Sequence, residues 1–309
     1  MKILKRAILA TLMIMGAILS KGQQDPMYTQ YIFNLQTVNP AYVGYWQTIG
    51  LTAISRHQWV GLGGHPTTQS FSFQTPLRSQ NVGIGLNIVA DKVGLEKRLL
   101  VSFDYSYQVL LSENTSLRFG LKGGFTNYSN NLTEYGQSDN TSDPVFQTNI
   151  ENKFMPNVGV GLFLSSPRYF LSLSLPGIIE NTYQSNANNY SSKSELRHFF
   201  FAGGMMFDIS ENVKFKPTFM TKTVAGSPFE YDLTANFLLA EKFWIGGMYR
   251  SGDSYGAIAQ WIINKKLRLG YAYDFTTTDL KNYQNGVHEI MISFEFVYAK
   301  HVIISPRYF

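Results

Sequence analysis

The sequence contains no cysteine. This absence excludes a lipid-modified N-terminal cysteine, thiol catalysis, a disulfide framework and thiolate metal sites. Charge is also scarce, since only 15% of the 309 residues are Asp, Glu, Lys or Arg. The stability of the fold must therefore come from backbone pairing and from the burial of side chains.

Long apolar runs are missing as well. The run from Ala7 to Leu19 has about 13 residues, whereas a membrane-spanning helix needs roughly 20. Basic residues precede this run, and the small residues Ser20 and Gly22 follow it, which is the pattern of a cleaved secretory signal. We therefore predict a signal peptide over residues 1–22 and a mature chain that begins at Gln23.

The formal net charge of +5 belongs mostly to this peptide. Removal of Lys2, Lys5, Arg6 and Lys21 takes the 26 basic residues to 22, against 21 acidic residues. The mature chain is therefore close to neutral. Its charge gives no reason to expect a nucleic-acid partner.

Aromatic residues are abundant, and they recur at every second position. Between Leu267 and Phe275, apolar residues occupy one face of an extended chain, while Arg268 and Asp274 lie on the other. Successive side chains of a strand point to opposite faces, and the wall of a membrane barrel needs one apolar face toward lipid. The same alternation elsewhere favours such a barrel over a soluble β-sandwich, which buries its apolar faces against a second sheet.

These alternating runs predict an all-β fold, a transmembrane antiparallel β-barrel of about 14 strands. The predicted strands lie near residues 48–58, 67–76, 81–91, 97–111, 115–128, 154–165, 168–175, 197–209, 213–223, 229–239, 242–251, 254–263, 266–276 and 287–298. Short polar links follow even-numbered strands, and the long polar links follow odd-numbered ones. Outer-membrane barrels have tight periplasmic turns and longer surface loops. We therefore expect an outer-membrane protein with periplasmic N- and C-termini.

The chain is predicted to form one barrel domain with additions at both ends. Residues 1–22 are the signal peptide, 23–46 an N-terminal segment, 47–298 the barrel and 299–309 a C-terminal tail. The N-terminal segment does not alternate, and its turn-initiating pairs favour a compact unit at the periplasmic mouth or inside the lumen. The sequence leaves open whether this unit is a plug, a docking element or simple structural closure.

No catalytic or metal-binding pattern is visible. The five histidines have no ligand-like spacing, and a Gly-x-Ser-x-Gly nucleophile turn is absent. Charged residues on predicted lumen faces can pair across a wet lumen without a catalytic role. They are Asp104, Asp208, Asp232, Asp274, Glu289 and Glu295, together with Arg118, Lys122, Lys214, Lys216, Arg250 and Arg268. We predict a protein that is not an enzyme and holds no cofactor or metal.

Several short motifs resemble a known family. The sequence has Gln-Asp-Pro-Met-Tyr-Thr-Gln-Tyr from Gln24, then Asn39-Pro40-Ala41-Tyr42, Arg56-His57-Gln58-Trp59, Gly270-Tyr271-Ala272-Tyr273-Asp274, His288-Glu289 and the terminal Ser305-Pro306-Arg307-Tyr308-Phe309. These motifs resemble the PorP/SprF family of the Bacteroidetes type IX secretion system. The resemblance implies an outer-membrane barrel that assists export or cell-surface retention of specific secreted proteins, such as gliding adhesins. Its implied partners are outer-membrane lipid, other type IX components and a secreted client carrying a type IX C-terminal signal.

Two groups of residues are candidates for partner binding. The first group consists of aromatic, amide and proline residues of the N-terminal segment, whose types suit a binding surface or a packed plug. It comprises Tyr28, Gln30, Tyr31, Phe33, Asn34, Asn39, Pro40 and Tyr42. The second group is Arg56, Gln58 and Trp59 at the outer end of the first predicted strand, where Trp59 would equally suit an interfacial aromatic belt.

A passive porin for small solutes is the alternative function. Glycines on predicted lumen faces keep the wall thin and would leave room inside the barrel. They are Gly83, Gly85, Gly120, Gly159 and Gly161. The sequence alone does not decide between an accessory barrel and a porin.

Overall fold

The computed structural model describes residues 27–77, 81–134, 148–185 and 191–296. The predicted signal peptide and C-terminal tail lie outside these ranges. The described strands are β1 (Ile49–His57), β2 (Thr67–Pro76), β3 (Val82–Val93), β4 (Glu96–Ser112), β5 (Thr115–Asn130), β6 (Ile150–Ser165), β7 (Tyr169–Leu175), β8 (Thr182–Ser185), β9 (Ser191–Ser194), β10 (His198–Met205), β11 (Phe207–Ser210), β12 (Val213–Val224), β13 (Glu230–Leu239), β14 (Phe243–Arg250), β15 (Ser254–Ile262), β16 (Leu267–Thr276) and β17 (Val287–Phe296). The described 3-10 helices are Tyr31–Phe33, Leu35–Thr37, Pro40–Tyr42 and Asp279–Asn282. No helix in the described ranges is long and apolar enough to cross a membrane.

The strands close into an antiparallel barrel. β1 pairs with β17, and β10 pairs with both β7 and β12, so the sheet has no open edge along most of its height. β11 continues β10 after an interruption at Met206 and pairs only with β12. With β10 and β11 counted as one, the 15 strand pieces of this sheet form 14 wall strands, which confirms the predicted fold.

The alternation of side chains along the wall is confirmed. On β4, Phe103 and Tyr105 point outward and are 65% and 45% exposed, whereas Ser102 and Asp104 point inward and are buried. The outward apolar side chains suit contact with lipid. The inward polar side chains are covered by the segment of the chain that precedes β1, described below. Asp208 departs from its predicted lumen position. It lies at the short-turn rim, where the wall extends beyond the packed interior, and its half-exposed side chain pairs with Arg168 and Lys214.

Turns of different length separate the two ends of the barrel. At the end called here the short-turn end, tight links join β4 to β5, β6 to β7, β11 to β12, β13 to β14 and β15 to β16. The three longest separations between paired wall strands, 131–149, 176–197 and 277–286, join strand ends at the opposite end, called here the long-loop end, which also has the tight links 94–95 and 251–253. The link 176–197 includes the small hairpin of β8 and β9, which the sequence analysis did not predict. β1 begins and β17 ends at the short-turn end, as an even number of strands requires.

The segment that precedes β1 lies inside the barrel. We call residues 27–46 the plug, because they fill the lumen and form the core of the molecule with inward side chains of the wall. Its side chains from Tyr28 to Leu35 are at most 7% exposed. The described part of the predicted segment thus lies in the lumen, which is one of the two places that the sequence left open.

Candidate functional site

The plug crosses the lumen from the long-loop end to the short-turn end. Thr29 contacts Arg56, Asp274 and Glu289, which lie within two residues of the long-loop ends of β1, β16 and β17. Trp46 lies three residues before the start of β1 at the short-turn end. The first described residues are therefore far from the start of the wall.

A buried charge network holds the long-loop end of the plug. The Glu289 carboxylate accepts hydrogen bonds from the backbone N–H groups of Thr29 and Gln30, both at 2.9 Å. Arg56 forms salt bridges of 3.0 Å with both Glu289 and Asp274. Asp274 also accepts a hydrogen bond from the Thr29 hydroxyl. Because charges taken out of water are costly unless they are paired, this network favours a conformation in which the plug completes it.

A second buried ion pair lies beside this network. Arg250 donates to both carboxylate oxygens of Asp232, with a shortest distance of 2.8 Å. The Tyr31 hydroxyl lies 3.4 Å from the Thr218 hydroxyl as a hydrogen-bonding partner.

Amide side chains fix the middle of the plug. Asn34 donates to the Ser72 hydroxyl at 3.0 Å, and Gln36 donates to the Phe73 carbonyl at 2.9 Å. Asn39 donates to the Leu162 carbonyl at 2.9 Å. Wall carbonyls that already take part in the strand ladder have a second lone pair for such bonds. The plug therefore binds the wall without interrupting it.

Lumen glycines allow the plug to approach the wall closely. A Cβ atom at Gly120 would overlap the backbone of Ala41, and one at Gly83 would overlap the carbonyl of Val43. Gly44 has a φ of +74°, and a Cβ there would lie 2.7 Å from the Gly83 Cα. These contacts correct the expectation that the glycines leave the lumen open, because the plug backbone occupies that space.

Of the three remaining lumen glycines that the sequence analysis named, two also face the plug. Gly85 faces Gln36 and Val43, and Gly161 faces the Asn39 side chain. Gly159 faces the backbone of Pro176, which belongs to a long loop and not to the plug.

Aromatic packing and one buried lysine hold the plug near the short-turn end. The Lys216 Nζ lies 4.4 Å from the ring centroid of Phe33 and 4.5 Å from that of Trp244. The indole N–H of Trp46 donates to the Tyr42 hydroxyl at 2.8 Å.

The structure buries most residues that the sequence suggested for partner binding. Those of the plug are Tyr28, Gln30, Tyr31, Phe33, Asn34, Asn39, Pro40 and Tyr42, and all of them contact the interior of the barrel. Arg56 is 3% exposed within the charge network. Gln58 and Trp59 are partly exposed beyond the end of β1. Of the candidates that the sequence suggested, only Gln58 and Trp59 have partly exposed side chains.

The wall partners of the plug were not identified as such from the sequence. Asp274 and Glu289 were placed only on a polar lumen face, and they lie more than 240 positions from Thr29. The sequence did mark both residues as important, since both belong to the motifs that resemble one family. The motifs at the two ends of the sequence thus meet in one charge network.

One cavity of about 140 Å³ remains between the plug and β3 to β6. Its lining includes the polar side chains of Asn87, Ser102, Lys122 and Asn157. Apolar atoms form most of the lining, and the polar side chains suit a small number of ordered waters. Among the described residues, no group of His, Asp and Glu side chains could hold a metal ion.

Comparison with known proteins identifies the family. The model of the family described as type IX secretion system membrane protein PorP/SprF matches residues 20–294. The chain belongs to the PorP/SprF family. It is therefore an outer-membrane β-barrel of the type IX secretion system, and its family is non-enzymatic.

Solved structures similar to this PorP/SprF protein are barrels of low sequence identity. The CymD monoaromatic hydrocarbon channel is 13% identical over 90% of this chain and 95% of its own, with a TM-score of 0.51. Omp33 of Acinetobacter baumannii is 8% identical over 81% of this chain and 100% of its own, with a TM-score of 0.48. The toluene transporter TodX of P. putida is 9% identical over 86% of this chain and 95% of its own, with a TM-score of 0.46. At these identities, the CymD match shows the barrel fold alone. No curated protein sequence matches this PorP/SprF protein significantly.

Proposed function

We propose that this protein is a plugged accessory barrel that assists export or cell-surface retention of specific secreted proteins, such as gliding adhesins. Family membership supports a role in type IX secretion. The observation that carries the choice against a porin is the plug, whose side chains and backbone fill the lumen and complete a buried charge network. A general porin needs an open aqueous lumen.

The proposed orientation follows from the links between strands. Tight turns are periplasmic and longer loops are extracellular in outer-membrane barrels. The start of β1 and the end of β17 would then face the periplasm, where the sequence analysis placed the N- and C-termini of the chain. Thr29 and the beginning of the plug would lie toward the cell surface.

We propose that partners contact the barrel at its rims rather than inside it. The partners are other type IX components and a secreted client with a type IX C-terminal signal. At the long-loop rim, Gln58 and Trp59 remain the candidates from the sequence, since both are partly exposed. The buried residues of the plug and Arg56 would act indirectly, by fixing the conformation of this rim.

Purification of the tagged native barrel from the outer membrane tests the proposal. We expect a type IX component or a secreted client to co-purify with the wild type, and Trp59→Ala to reduce the amount of client. Tyr283→Ala is the matched aromatic control, because Tyr283 is 72% exposed on a different loop of the same end. Absence of any secretion component or secreted protein from the wild-type complex would contradict the proposed function.

A further inference from the structure

The outer face of the barrel carries a groove near the long-loop end, and charged and amide side chains form part of its lining. This groove, which we call the headgroup groove, has a volume of about 460 Å³ and lies across β2 to β6. Its outward lining residues are Thr67, Gln69, Ala90, Lys92, Lys97, Leu99, Asn127, Ser129 and Asn152. It lies on the opposite side of the wall from the plug and plays no part in the contacts described above.

The headgroup groove lies at the border of the apolar band. On each strand, the last large apolar side chain of the outward face is followed, toward the long loops, by a polar or small one. The steps are Phe71 to Gln69 on β2, Ile88 to Ala90 and Lys92 on β3, Leu99 to Lys97 on β4, Phe125 to Asn127 on β5, and Phe154 to Asn152 on β6. The apolar side contacts lipid tails, so the groove lies at the level of lipid headgroups.

Two lysines give the groove its charge. Lys92 and Lys97 are exposed and are direct cross-strand partners of β3 and β4. Like charges placed directly opposite each other are unfavourable unless an anion lies near them. The carboxylate of the groove, Asp91, points inward, where it accepts from Thr68 at 2.6 Å and pairs with Arg98 at 2.9 Å. It is therefore already occupied by other partners.

Among the described residues, no second pair of facing lysines lies at this level of the wall, and the exposed Arg197 just before β10 pairs with Glu180. On β13 to β16, outward positions at this level carry neutral aromatic side chains that suit a membrane interface. They include Tyr231 on β13, Tyr249 on β14, Tyr255 on β15 and Tyr273 on β16. The lysine pair thus marks one sector of the barrel and not a general belt.

We propose that the headgroup groove binds the phosphate-bearing headgroup of an anionic lipid in the leaflet at the long-loop end. The ammonium groups of Lys92 and Lys97 contact the phosphate, and the amides of Asn127 and Asn152 donate to headgroup oxygens. The acyl chains lie on the exposed apolar surface between the groove and the short-turn end, which includes Phe154. Basic side chains at a membrane surface attract anionic lipid, and the groove confines that attraction to one place.

Reconstitution of the full-length protein with defined lipids tests this site. The protein is transferred from detergent into nanodiscs that contain phosphatidylglycerol or phosphatidylcholine, and retained lipid is counted by native mass spectrometry. We expect the wild type to retain phosphatidylglycerol preferentially. The double variant K92Q/K97Q should weaken this preference on the order of tenfold, and K92R/K97R should keep it.

The matched control is K265Q/K266Q, which removes the same charge from an exposed turn at the short-turn end. This control should behave as the wild type. Heat-modifiable migration of every variant checks that the barrel is folded. Equal retention of both lipids by the wild type, or equal loss in K92Q/K97Q and K265Q/K266Q, would overturn the proposal. Displacement of phosphatidylglycerol by millimolar inorganic phosphate would also overturn it, because the site would then recognise free phosphate.

Discussion

Glu289 shows how a single wall residue can determine the position of a whole segment. Its carboxylate accepts from two successive backbone N–H groups of the plug and also pairs with Arg56, all within 3.0 Å. Neutralising it leaves the Arg56 guanidinium with one carboxylate, Asp274, and weakens both bonds to the plug. Breaking a buried ion pair by removing one partner commonly costs about 3 kcal/mol or more.

We therefore expect Glu289→Gln to lower the unfolding temperature of the detergent-solubilised barrel. Glu113→Gln, in an exposed turn, is the control for loss of one carboxylate and should not change it. The measurement is the temperature at which the compact, heat-modifiable band disappears from a gel. An unfolding temperature of Glu289→Gln equal to that of the wild type would show that the network does not stabilise the plugged state.

Two glycines of β5 provide a test of the close contact between plug and wall. A Cβ at Gly120 would overlap the Ala41 backbone, whereas a Cβ at Gly123 would have no atom within 4 Å. We expect Gly120→Ala to destabilise the barrel by about 1–3 kcal/mol through overpacking. Gly123→Ala should stay within roughly 0.5 kcal/mol of the wild type. Urea unfolding in lipid vesicles measures both, and equal effects would contradict the described packing.

At the scale of elements, the sequence predicted the wall well because lipid and lumen impose a period of two. All the long strands were found within a few residues of their ends, including the long pair β4 and β5. The break at Met206 was missed because the alternation continues through it. The side chain of Met206 is buried, and its N–H bonds to Arg168 of the neighbouring link instead of a strand. The alternation of apolar and polar residues does not show which residue accepts the hydrogen bond of a backbone N–H group.

The plug could be recognised from sequence only as a segment that is not a wall strand. Its conformation depends on partners such as Asp274, Glu289 and Gly120, which are distant in sequence and become neighbours only after the barrel closes. Short 3-10 helices have no apolar period that would place them against a curved inner surface. The family-like motifs indicated which residues matter, but not that Arg56 and Glu289 form one network.

The links between strands allow a direct test of orientation. The sequence has no cysteine, so a single introduced cysteine reports one position. Cysteine in place of Lys281, exposed on a long loop, should react with a membrane-impermeant maleimide on intact cells. Cysteine in place of Glu211, exposed in a short turn, should react only after the outer membrane is permeabilised. The reverse result would invert the proposed orientation.

At the scale of the whole molecule, the barrel wall and its contents have separate roles. The wall is apolar outside, and its inward polar side chains bind a segment of the same chain instead of a column of water. The described plug residues therefore occupy the lumen that an aqueous pore would need. The rims and the lipid-facing surface are the parts of the described structure that stay exposed.

Electrical recording tests the central claim, that the barrel is closed by its own N-terminal segment. The purified wild-type protein is inserted into a planar lipid bilayer, and insertion is confirmed by recovering the folded protein from the membrane. A general porin serves as the positive control in the same bilayer. We expect no steady conductance steps for the wild type, because the plug occupies the lumen from Thr29 to Trp46. Steady ion-conducting steps of porin size from the folded wild-type barrel would contradict it.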